Sequence, residues 1–520
     1  MKSTKKWVSI LLAGTMATLT ACGSADNKES SSSPAAGSPQ ASNAPAEPAK
    51  VRLMISDHSQ PVPTGNVMDN PTIKYMAQKA NVNLDITFLP HGDYAAQKKI
   101  KYAAGDIPDV VQDWGVDADL MQNNQAIPLN DLIDKYGPNL KKSINKEAWD
   151  AVTFNGKIMG IPQTANGNAP SGRVIYVRKD WMDKVGIKDI PKTPDEFLTM
   201  LRAFRDKDPN GNGKKDEIPF TARENFSWSE NLFGMFGANL HTYNLVNNEL
   251  QPGYITPNFK KALGYVKTMV DEGLIDSEFM TNKRNVWEQK IQNDLAGSWN
   301  HVTELAWDWQ DKLNKSIPGG KANVIAIPTP KDPGASAVGD VQNPIVKVFT
   351  ISKKAKNPEA IVKMFDWLAS QEGQEFVFLG VPGITQNKDG GKLTYDAKKD
   401  ADDKTSLWRQ TLFSIVSYNK DLLKVQLGND AAVEKLDLSW NTARQEGIPN
   451  YLVGAPVFPS AKQFPDLTKE GNLWREAAAQ IILGKKPLDS YDEFVKSWKA
   501  QGGNEMIKEA TEYYNNKQKK

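Results

Sequence analysis

The fold is decided by two stretches, Val51-Arg52-Leu53-Met54-Ile55 and Val82-Asn83-Leu84-Asp85-Ile86-Thr87-Phe88-Leu89. In the second stretch apolar and polar residues alternate, which is typical of a strand with one buried face. Asp109-Val110-Val111 indicates a third, short buried strand. Segments 72–80 and 94–104, which lie between these strands, have the length of helices. Strand, helix, strand, helix predicts an α/β fold with a largely parallel sheet.

Four later helices are predicted from their start signals. Thr193-Pro194-Asp195-Glu196 and Ser490-Tyr491-Asp492-Glu493 have the pattern of a capping box, in which a hydroxyl and a carboxylate satisfy free backbone N–H groups. Two more helices are expected to open at Thr256-Pro257 and Asn357-Pro358, because proline is favoured at the first helical position. Apolar residues at helical spacing follow each signal and predict faces that pack into a core.

Residues 1–21 have the composition of a secretion signal. Three lysines give it a positive start, and an apolar stretch of about a dozen residues follows, too short to span a bilayer comfortably. The stretch ends at Leu19-Thr20-Ala21-Cys22, which resembles the lipobox of bacterial lipoproteins. The resemblance implies that Cys22 is alkylated with diacylglycerol and becomes the mature N-terminus. A secretion signal that contains a cysteine by chance is the alternative.

Residues 22–49 are predicted to form the lipidated cysteine and a disordered tether. From Gly23 to Pro48 the chain is mainly Ser, Ala, Pro, Gly, Asn and Glu, without aromatic or large aliphatic residues. Such a segment has nothing to bury and is expected to stay unfolded. Two acyl chains are enough for stable membrane anchoring. The expected location is therefore the outer face of the cell membrane.

Composition limits the functions that the folded part can have. Cys22 is the only cysteine, so neither disulfides nor thiolate-bound metals can support the fold. The 14 Trp, 14 Tyr and 18 Phe supply a large core, and 520 residues suggest two or three domains. The net charge of +2 falls to near −1 once residues 1–21, with three lysines and no acids, are removed. A nucleic-acid partner is therefore not expected.

A series of short motifs runs along the chain. The first is Ala104-Gly105-Asp106-Ile107-Pro108-Asp109-Val110-Val111, followed by Gly156-Lys157-Ile158-Met159-Gly160-Ile161-Pro162 and Val174-Ile175-Tyr176-Val177-Arg178-Lys179-Asp180-Trp181. Segments 188–197 and 481–503 continue the series. In this order the motifs resemble the extracellular solute-binding proteins, family 1, of ABC importers, and they cover nearly the whole chain after the tether.

The resemblance implies an α/β fold of the type II periplasmic-binding-protein kind, with two lobes, a hinge and a cleft between the lobes. Residues 50–165 and 336–380 would form the N-terminal lobe, and residues 166–335 and 381–520 the C-terminal lobe. An oligosaccharide would bind in the cleft and pass to a permease whose ATPase is a separate chain. The protein itself is expected to be a monomer.

A loop after residue 205 has the composition of a calcium site. It reads Asp206-Lys207-Asp208-Pro209-Asn210-Gly211-Asn212-Gly213-Lys214-Lys215-Asp216-Glu217. Hard cations prefer several oxygen ligands from one tight loop, and glycine permits the sharp turn. Counted from Asp206, the EF-hand spacing is complete, but Lys214 then occupies a position where an oxygen is needed. A polar turn without metal is the alternative to both registers.

We favour the register that starts at Asp208, because it places no ammonium group at a ligand position. It is also similar to the calcium loop of the alginate-binding members of the family, and the ion is expected to be structural Ca²⁺. The predicted ligands are Asp208, Asn210, Asn212, the carbonyl of Lys214, Asp216 and Glu217.

The sugar site is expected to combine aromatic rings with polar side chains in loops at strand ends. Sugar C–H faces pack on aromatic rings, and the hydroxyl groups require polar partners. For each candidate, core packing is an equally good explanation. Arg173 and Arg223 would suit a uronate, because guanidinium binds carboxylates in a bidentate manner. The candidates are His58, Trp114, Gln163, Arg173, Trp228, Trp299, Asn300 and Trp440.

A secreted glycoside hydrolase is the main alternative function. It needs two carboxylates flanking a glycosidic bond, and 62 acidic residues would supply such a pair by chance. The sequence contains no Gly-x-Ser-x-Gly elbow, zinc-protease helix or phosphate-binding loop, and its four histidines form no cluster in sequence. We therefore predict no catalytic residue and no enzyme activity. A carbohydrate-sensing or adhesion lipoprotein on the same fold is a second alternative.

Overall fold

The structure is a computed structural model that describes residues 47–58, 62–63, 65–164, 172–240, 242–317, 319–335, 337–402, 406–416 and 418–519. Contacts divide the chain into Met1–Glu47 and Pro48–Lys520, and everything below concerns the second unit. The secretion signal and Cys22 lie outside the described residues, so the predictions for them stay predictions.

The described residues contain sixteen strands and twenty-two α-helices. The strands are β1 Ala49–Ser56, β2 Val82–Leu89, β3 Val110–Asp113, β4 Thr153–Phe154, β5 Lys157–Ile158, β6 Ile161–Gln163, β7 Arg173–Arg178, β8 Tyr243–Val246, β9 Glu249–Pro252, β10 Ser298–Val302, β11 Val324–Ile327, β12 Val341–Gln342, β13 Lys347–Ile351, β14 Gln386–Asp389, β15 Lys392–Tyr395 and β16 Ile448–Pro449.

The helices connect and cover these strands. They are α1 Pro71–Ala80, α2 Tyr94–Ala103, α3 Ala118–Gln122, α4 Asn130–Tyr136, α5 Pro138–Ser143, α6 Lys146–Ala151, α7 Lys179–Val185, α8 Pro194–Asp206, α9 Glu230–Gly234, α10 Pro257–Asp271, α11 Arg284–Gln292, α12 Ala306–Ser316, α13 Pro358–Ala369, α14 Gln371–Leu379, α15 Ala397–Asp402, α16 Ser406–Phe413, α17 Lys420–Leu427, α18 Asp430–Glu446, α19 Pro459–Gln463, α20 Leu473–Ile482, α21 Ser490–Trp498 and α22 Asn504–Gln518.

A five-stranded sheet has the order β2-β1-β3-β13-β6. β1 runs parallel to β2 and β3, as the opening strand-helix pattern predicts. β13 is antiparallel to both β3 and β6, because the chain re-enters this sheet in the opposite direction after building the second one. The α/β fold is confirmed, and so is the largely parallel sheet, because β1, β2, β3 and β6 run in one direction and only β13 runs against them.

A three-stranded sheet has the order β10-β7-β11, and β7 is antiparallel to both neighbours. The two faces of β7 belong to different cores. Ile175 and Val177 pack with one set of buried residues, while Val174 and Tyr176 pack with another, tryptophan-rich set. The sheet is therefore covered on both sides, so a polar side chain inside a strand, such as Asn300, is buried, and polar groups can reach solvent only near the strand ends.

The five-stranded sheet has its own core. It holds Val51 and Phe349 from the strands and Phe365 from α13. Leu412 and Leu422 also pack there, although both follow residue 380. The predicted lobe boundaries stay a prediction, and this packing favours a first lobe that extends beyond residue 380.

The predicted helix starts are observed, with one exception in detail. Thr193 Oγ1 accepts a hydrogen bond from Glu196 N at 3.2 Å, and Glu196 accepts from Lys192 N at 2.7 Å. At α21 the predicted capping box is wrong: Ser490 is the first helical residue and its hydroxyl donates to Pro487 O instead. The Pro487 carbonyl, three residues before Ser490, lies within reach of the serine hydroxyl, which therefore does not cap the helix.

Among the described residues, we find no helix that combines the length and the apolar composition needed to cross a bilayer.

Candidate functional site

Polar and aromatic side chains collect where strands of the five-stranded sheet end, and we call this set the first wall: His58 after β1, His91 after β2, Gln112 and Trp114 at the end of β3, and Lys347 at the start of the antiparallel β13. Because β13 runs the other way, its first residue lies at the same edge as the last residues of β1 and β3. Topology alone therefore brings these five side chains together.

The rings of the first wall form one aromatic group. His58 lies 5.2 Å from His91 and 5.7 Å from Trp114, measured between ring centroids. Tyr94 meets Trp114 edge-on at 5.7 Å. Trp114 is nevertheless 48% exposed, so much of this large apolar ring is free to contact a ligand.

Buried hydrogen bonds hold the first wall in place. Ser56 Oγ lies 3.1 Å from His91 Nδ1, and His91 N donates to Asp57 at 2.9 Å. Below Trp114, the buried Lys98 binds both Asp113 and Asp117. These contacts fix the strand ends, so the exposed ring of Trp114 is presented by a rigid support.

The second wall lies beside the three-stranded sheet and consists of Arg223, Trp228, Arg284 at the start of α11, and Glu304. The Arg223 guanidinium carbon lies 4.4 Å from the Trp228 ring centroid, and that of Arg284 lies 5.8 Å from it. Beneath Trp228 lie Trp287 at 4.3 Å and His301 at 4.2 Å. Trp228 is 9% exposed.

The loop that carries Trp228 is strained. Asn225, Phe226 and Trp228 have φ values of 59°, 58° and 57°, in the left-handed region. Each such residue costs on the order of 1–3 kcal/mol unless the surroundings enforce it, and such strain clusters at functional sites. Here the stacked Arg223 and the buried Phe226 hold the conformation.

In addition to burial, the positive charge of Arg284 on the second wall lowers the pKa values of the two histidines on the first wall. Burial, followed by the charge of Lys347, lowers the pKa of His58 to about 2, and Arg284 contributes to the same shift. Burial also lowers the pKa of His91, with Arg284 as the next cause. Both imidazoles are therefore neutral at physiological pH, and the two walls face each other closely enough to interact electrostatically.

An electrostatic interaction between Lys347 and Glu304 also links the two walls. Lys347 is 5% exposed, and burial lowers the pKa of its ammonium group to about 7. Glu304 of the second wall opposes this shift. Burial raises the pKa of Glu304 in turn, while Arg173 and Lys347 hold it down.

Within the part of the chain that the structure describes, several buried polar atoms on or beside these walls have no hydrogen-bond partner of good geometry. They are His58 Nε2, the side-chain oxygens of Gln112 and Gln163, and Nε of Arg173 and Arg223. Buried polar groups are normally satisfied, and each unmade hydrogen bond costs about 1–3 kcal/mol. Both hydrogen-bond donors and hydrogen-bond acceptors thus remain available for a polar ligand.

Arg173 occupies the start of β7, where the chain passes from one sheet to the other. Its Nη1 binds Asp340 at 2.9 Å, and its Nε lies 3.5 Å from Glu230. Asn239 adds a hydrogen bond to Asp340 at 3.1 Å. The guanidinium is thus engaged by two buried carboxylates of its own chain, which makes it chiefly a link between segments.

Three of the predicted sugar-contacting residues lie in the interior. Trp299 is fully buried between Tyr176 and Trp309. Asn300 is fully buried too; its side-chain amide donates to Val174 O and Asn231 Oδ1, and its Oδ1 accepts from Asn231 N. Trp440 packs against Tyr418 with 4% exposure. Core packing accounts for all three, although their role in binding stays an untested prediction.

The other five predicted residues, His58, Trp114, Gln163, Arg173 and Trp228, lie at strand ends or loops facing the region between the sheets. Sequence reasoning did not single out His91, Gln112, Arg284, Glu304 or Lys347 for the site. For His91, Gln112, Glu304 and Lys347 the available signal was a position in or next to the end of a buried strand, which many surface residues share, and Arg284, the first residue of α11, had no such signal.

The predicted calcium loop is folded around Asp208. Its carboxylate accepts hydrogen bonds from the backbone N–H groups of Gly211, Asn212 and Gly213 at 3.0–3.2 Å. The amides of Asn210 and Asn212 reach Asp216 at 3.0–3.2 Å. The six predicted ligands thus belong to one tight turn.

A cation site is indicated where carboxylate oxygens of the turn are buried and have no hydrogen-bond donor. Glu217 Oε1 is buried and has no hydrogen-bond partner among the described residues, and burial together with the nearby Asp208 and Asp216 raises the pKa of Glu217. Converging carboxylates and an orphaned oxygen fit a hard cation. Asp206 instead pairs with Arg205 at 2.7 Å, outside the turn, which favours the register from Asp208.

No group of three or more His, Cys, Asp or Glu side chains in the described part of the chain is arranged to hold a metal ion. A calcium site here would therefore need the asparagine oxygens and the Lys214 carbonyl as well.

Two sheets with separate cores, and aromatic and unpaired polar groups at the ends of their strands, are the features of the class of two-lobed ligand-binding proteins. The family model of the bacterial extracellular solute-binding proteins matches residues 64–375, more than half of the sequence. The chain belongs to this family, which confirms the resemblance drawn from the motifs.

Two curated relatives are similar in sequence. The fructooligosaccharide ABC transporter substrate-binding protein FusA of Streptococcus pneumoniae is 30% identical over 321 residues, which cover 58% of this chain and 57% of FusA. The match thus spans less than two thirds of that relative. Lipoprotein LipO of Bacillus subtilis is 24% identical over 462 residues, covering 86% of this chain and 89% of LipO.

Solved structures share the fold. The alginate-binding protein AlgQ2, solved without calcium ion, has a TM-score of 0.70 at 23% identity and covers 91% of this chain and 99% of its own. FusA in complex with kestose has a TM-score of 0.70 at 22% identity, covering 90% and 99%. An EF-hand mutant of FusA with fructo-nystose has a TM-score of 0.68 at 21% identity, covering 90% and 99%. These likenesses confirm the two-lobed α/β fold.

The buried Lys347 makes stability depend on pH. Its pKa is about 7 in the folded protein and 10.5 in an unfolded chain, so between these values the unfolded chain binds more protons. Stability due to this residue therefore rises with pH. Between pH 7 and about pH 9, urea unfolding should show the wild type gaining up to about 2 kcal/mol relative to Lys347→Met.

Lys363→Met is the matched control, because Lys363 is exposed and paired with Glu359 on α13. Its stability should track that of the wild type at both pH values. If the free energy of unfolding changed equally with pH in the wild type and in Lys347→Met, the ammonium group would not be desolvated as described.

Proposed function

We propose that the protein is the oligosaccharide-binding subunit of an ABC importer and holds its ligand between the first and second walls. The observation that carries this proposal is the pairing of an exposed ring, Trp114, on one wall with the Arg223–Trp228 stack on the other. Family membership and the relative FusA, named for fructooligosaccharide and solved with kestose, support it.

The chemistry of the walls suits a sugar. The ring of Trp114 offers an apolar surface for C–H faces of a pyranose or furanose. Neutral His58 and the carboxamide oxygens of Gln112 and Gln163 offer hydrogen-bond partners for hydroxyl groups. Arg223 Nε, buried and unpartnered, supplies a donor from the second wall. A chain of several sugar units would contact both walls at once.

Closure follows from this two-sided contact. A ligand stabilises the closed arrangement only by binding it more tightly than the open one, and contacts to both walls provide that difference. The closed form would then dock on permease subunits served by a separate ATPase. We further propose that the protein acts as a monomer anchored to the outer face of the membrane through Cys22. The relative LipO is named a lipoprotein, which supports the anchor.

We propose that the turn from Asp208 to Glu217 binds one structural Ca²⁺ through Asp208, Asn210, Asn212, the Lys214 carbonyl, Asp216 and Glu217. The orphaned Glu217 oxygen and the surrounding carboxylates support the proposal. So do the names of two solved relatives, one without calcium ion and one mutated in an EF-hand. The ion would join the end of α8 to residues 218–221, which form single bridges to Ala296 and Trp299, and take no part in binding the ligand.

Isothermal titration calorimetry against neutral and uronic-acid oligosaccharides tests the ligand proposal. We expect at least one oligosaccharide of this panel to bind the protein at a single site. Trp114→Ala should weaken this binding at least tenfold, because a packed indole contributes more than about 1.4 kcal/mol. Trp367→Ala, a half-buried tryptophan on α13 away from both walls, should bind as the wild type does. Release of shorter sugars during incubation would instead indicate a hydrolase.

Calcium should raise the melting temperature of the protein after treatment with a chelator. At about 100 times its dissociation constant the ion adds roughly 2.7 kcal/mol to the free energy of unfolding. Glu217→Gln and Asn212→Ala should lose most of this gain, because each removes a ligand. Asp206→Ala should keep it. A loss in Asp206→Ala and Glu217→Gln but not in Asn212→Ala would establish the other register, because Glu217 is a ligand in both, and no calcium effect in the wild type would establish a metal-free turn.

A further inference from the structure

A second cavity lies apart from the two walls. It has a volume of about 280 Å³ and is enclosed by the β8–β9 hairpin, the segment from Asn450 to Glu470 and the start of α22. None of the residues of the first or second wall lines it. We propose that this cavity is a separate binding site for a single neutral sugar unit.

Its lining combines an apolar surface with hydroxyl groups. Tyr254 forms one side and is held rigidly by stacking on Trp474 at 5.3 Å and by its hydroxyl bond to Leu467 O at 2.7 Å. Leu240 and Leu452 add apolar surface, and Thr242 and Thr468 add hydroxyl groups. This is the combination that packs on the C–H face of a sugar and bonds to its edge.

Tyr243 provides the polar group that the protein leaves unused. It lines the cavity, and its hydroxyl makes no hydrogen bond to any described residue, although the side chain is partly buried. Burial raises the pKa of the phenol, so the hydroxyl keeps its proton. A protonated, unpartnered hydroxyl in a cavity is a donor available to a ligand oxygen.

Charge and size narrow the class of ligand. The two charged residues of the lining, Lys469 and Glu470, lie 3.4 Å apart and largely neutralise each other. Neither an anion nor a cation gains from such a pair, so a neutral ligand fits best. The volume of about 280 Å³ lies just below the range of roughly 300–1,000 Å³ for small-molecule sites, which suits one sugar ring rather than a chain of them.

The cavity also borders the connection between the sheets. Asn450 donates to Asn343 at 3.2 Å, directly after the β12–β16 pair. The neighbour of Leu240, Asn239, binds the Asp340 carboxylate that pairs with Arg173. A ligand in the cavity would thus contact segments that hold the crossing between the two lobes.

Saturation-transfer NMR with glucose, galactose, mannose and rhamnose at millimolar concentrations tests the proposal. The double variant Trp114→Ala/Trp228→Ala removes the aromatic surfaces of the walls, so binding that survives in it arises elsewhere. We expect at least one of these sugars to bind this variant. Leu452→Trp, which fills the cavity, should abolish that binding, and Tyr243→Phe should weaken it about three- to tenfold.

Leu438→Trp is the matched control, because it adds the same side chain at a leucine that is 50% exposed on α18. It should leave monosaccharide binding unchanged. Absence of binding to the double variant, or equal binding with and without Leu452→Trp, would overturn the proposal. If Leu452→Trp fails to fold, an unchanged affinity in Tyr243→Phe overturns it instead. Oligosaccharide binding between the walls is measured separately, so the two proposals fail independently.

Discussion

Burial of both faces of the two main sheets is the constraint on which the rest of the structure depends. In β7, Ile175 and Val177 face one core while Val174 and Tyr176 face another. A strand of this kind has no side where a polar group can reach solvent, so binding chemistry is confined to strand ends and the loops that follow them. His58, Trp114, Lys347 and Arg173 all occupy such positions.

The same constraint explains why the walls are electrostatically coupled. Charges at strand ends lie at the rim of two apolar cores, where little water screens them. Arg284 therefore contributes to the lowered pKa of both His58 and His91 across the gap, and Glu304 acts on Lys347. A ligand with many hydroxyl groups can satisfy the unpartnered atoms there without introducing charge.

Much of the fold could be predicted from local patterns. The strand at 82–89, the helices beginning at Pro194 and Pro358, and the family motifs all depend on residues close together in sequence. The antiparallel β13 could not be predicted in this way, because its direction is set by a connection that passes through the second sheet. The start of α21 depended on a single hydroxyl, Ser490, that bonds to a nearer carbonyl.

The site was predictable in kind but not in detail. Trp114 follows a strand-like segment and Trp299 follows Gly297-Ser298, and both were candidates, yet one ring is exposed and the other is enclosed by Tyr176 and Trp309. That difference arises from helices packed over β10, which no local pattern reveals. His91, Arg284 and Lys347 join the site only because distant segments meet at one edge.

Hydrogen–deuterium exchange measured with and without a bound oligosaccharide would test the central claim most directly. The account predicts slower exchange in peptides from both walls together, those containing residues 110–116 and those containing residues 222–230. Protection of only one of these peptides, or of neither while another region is protected, would contradict it.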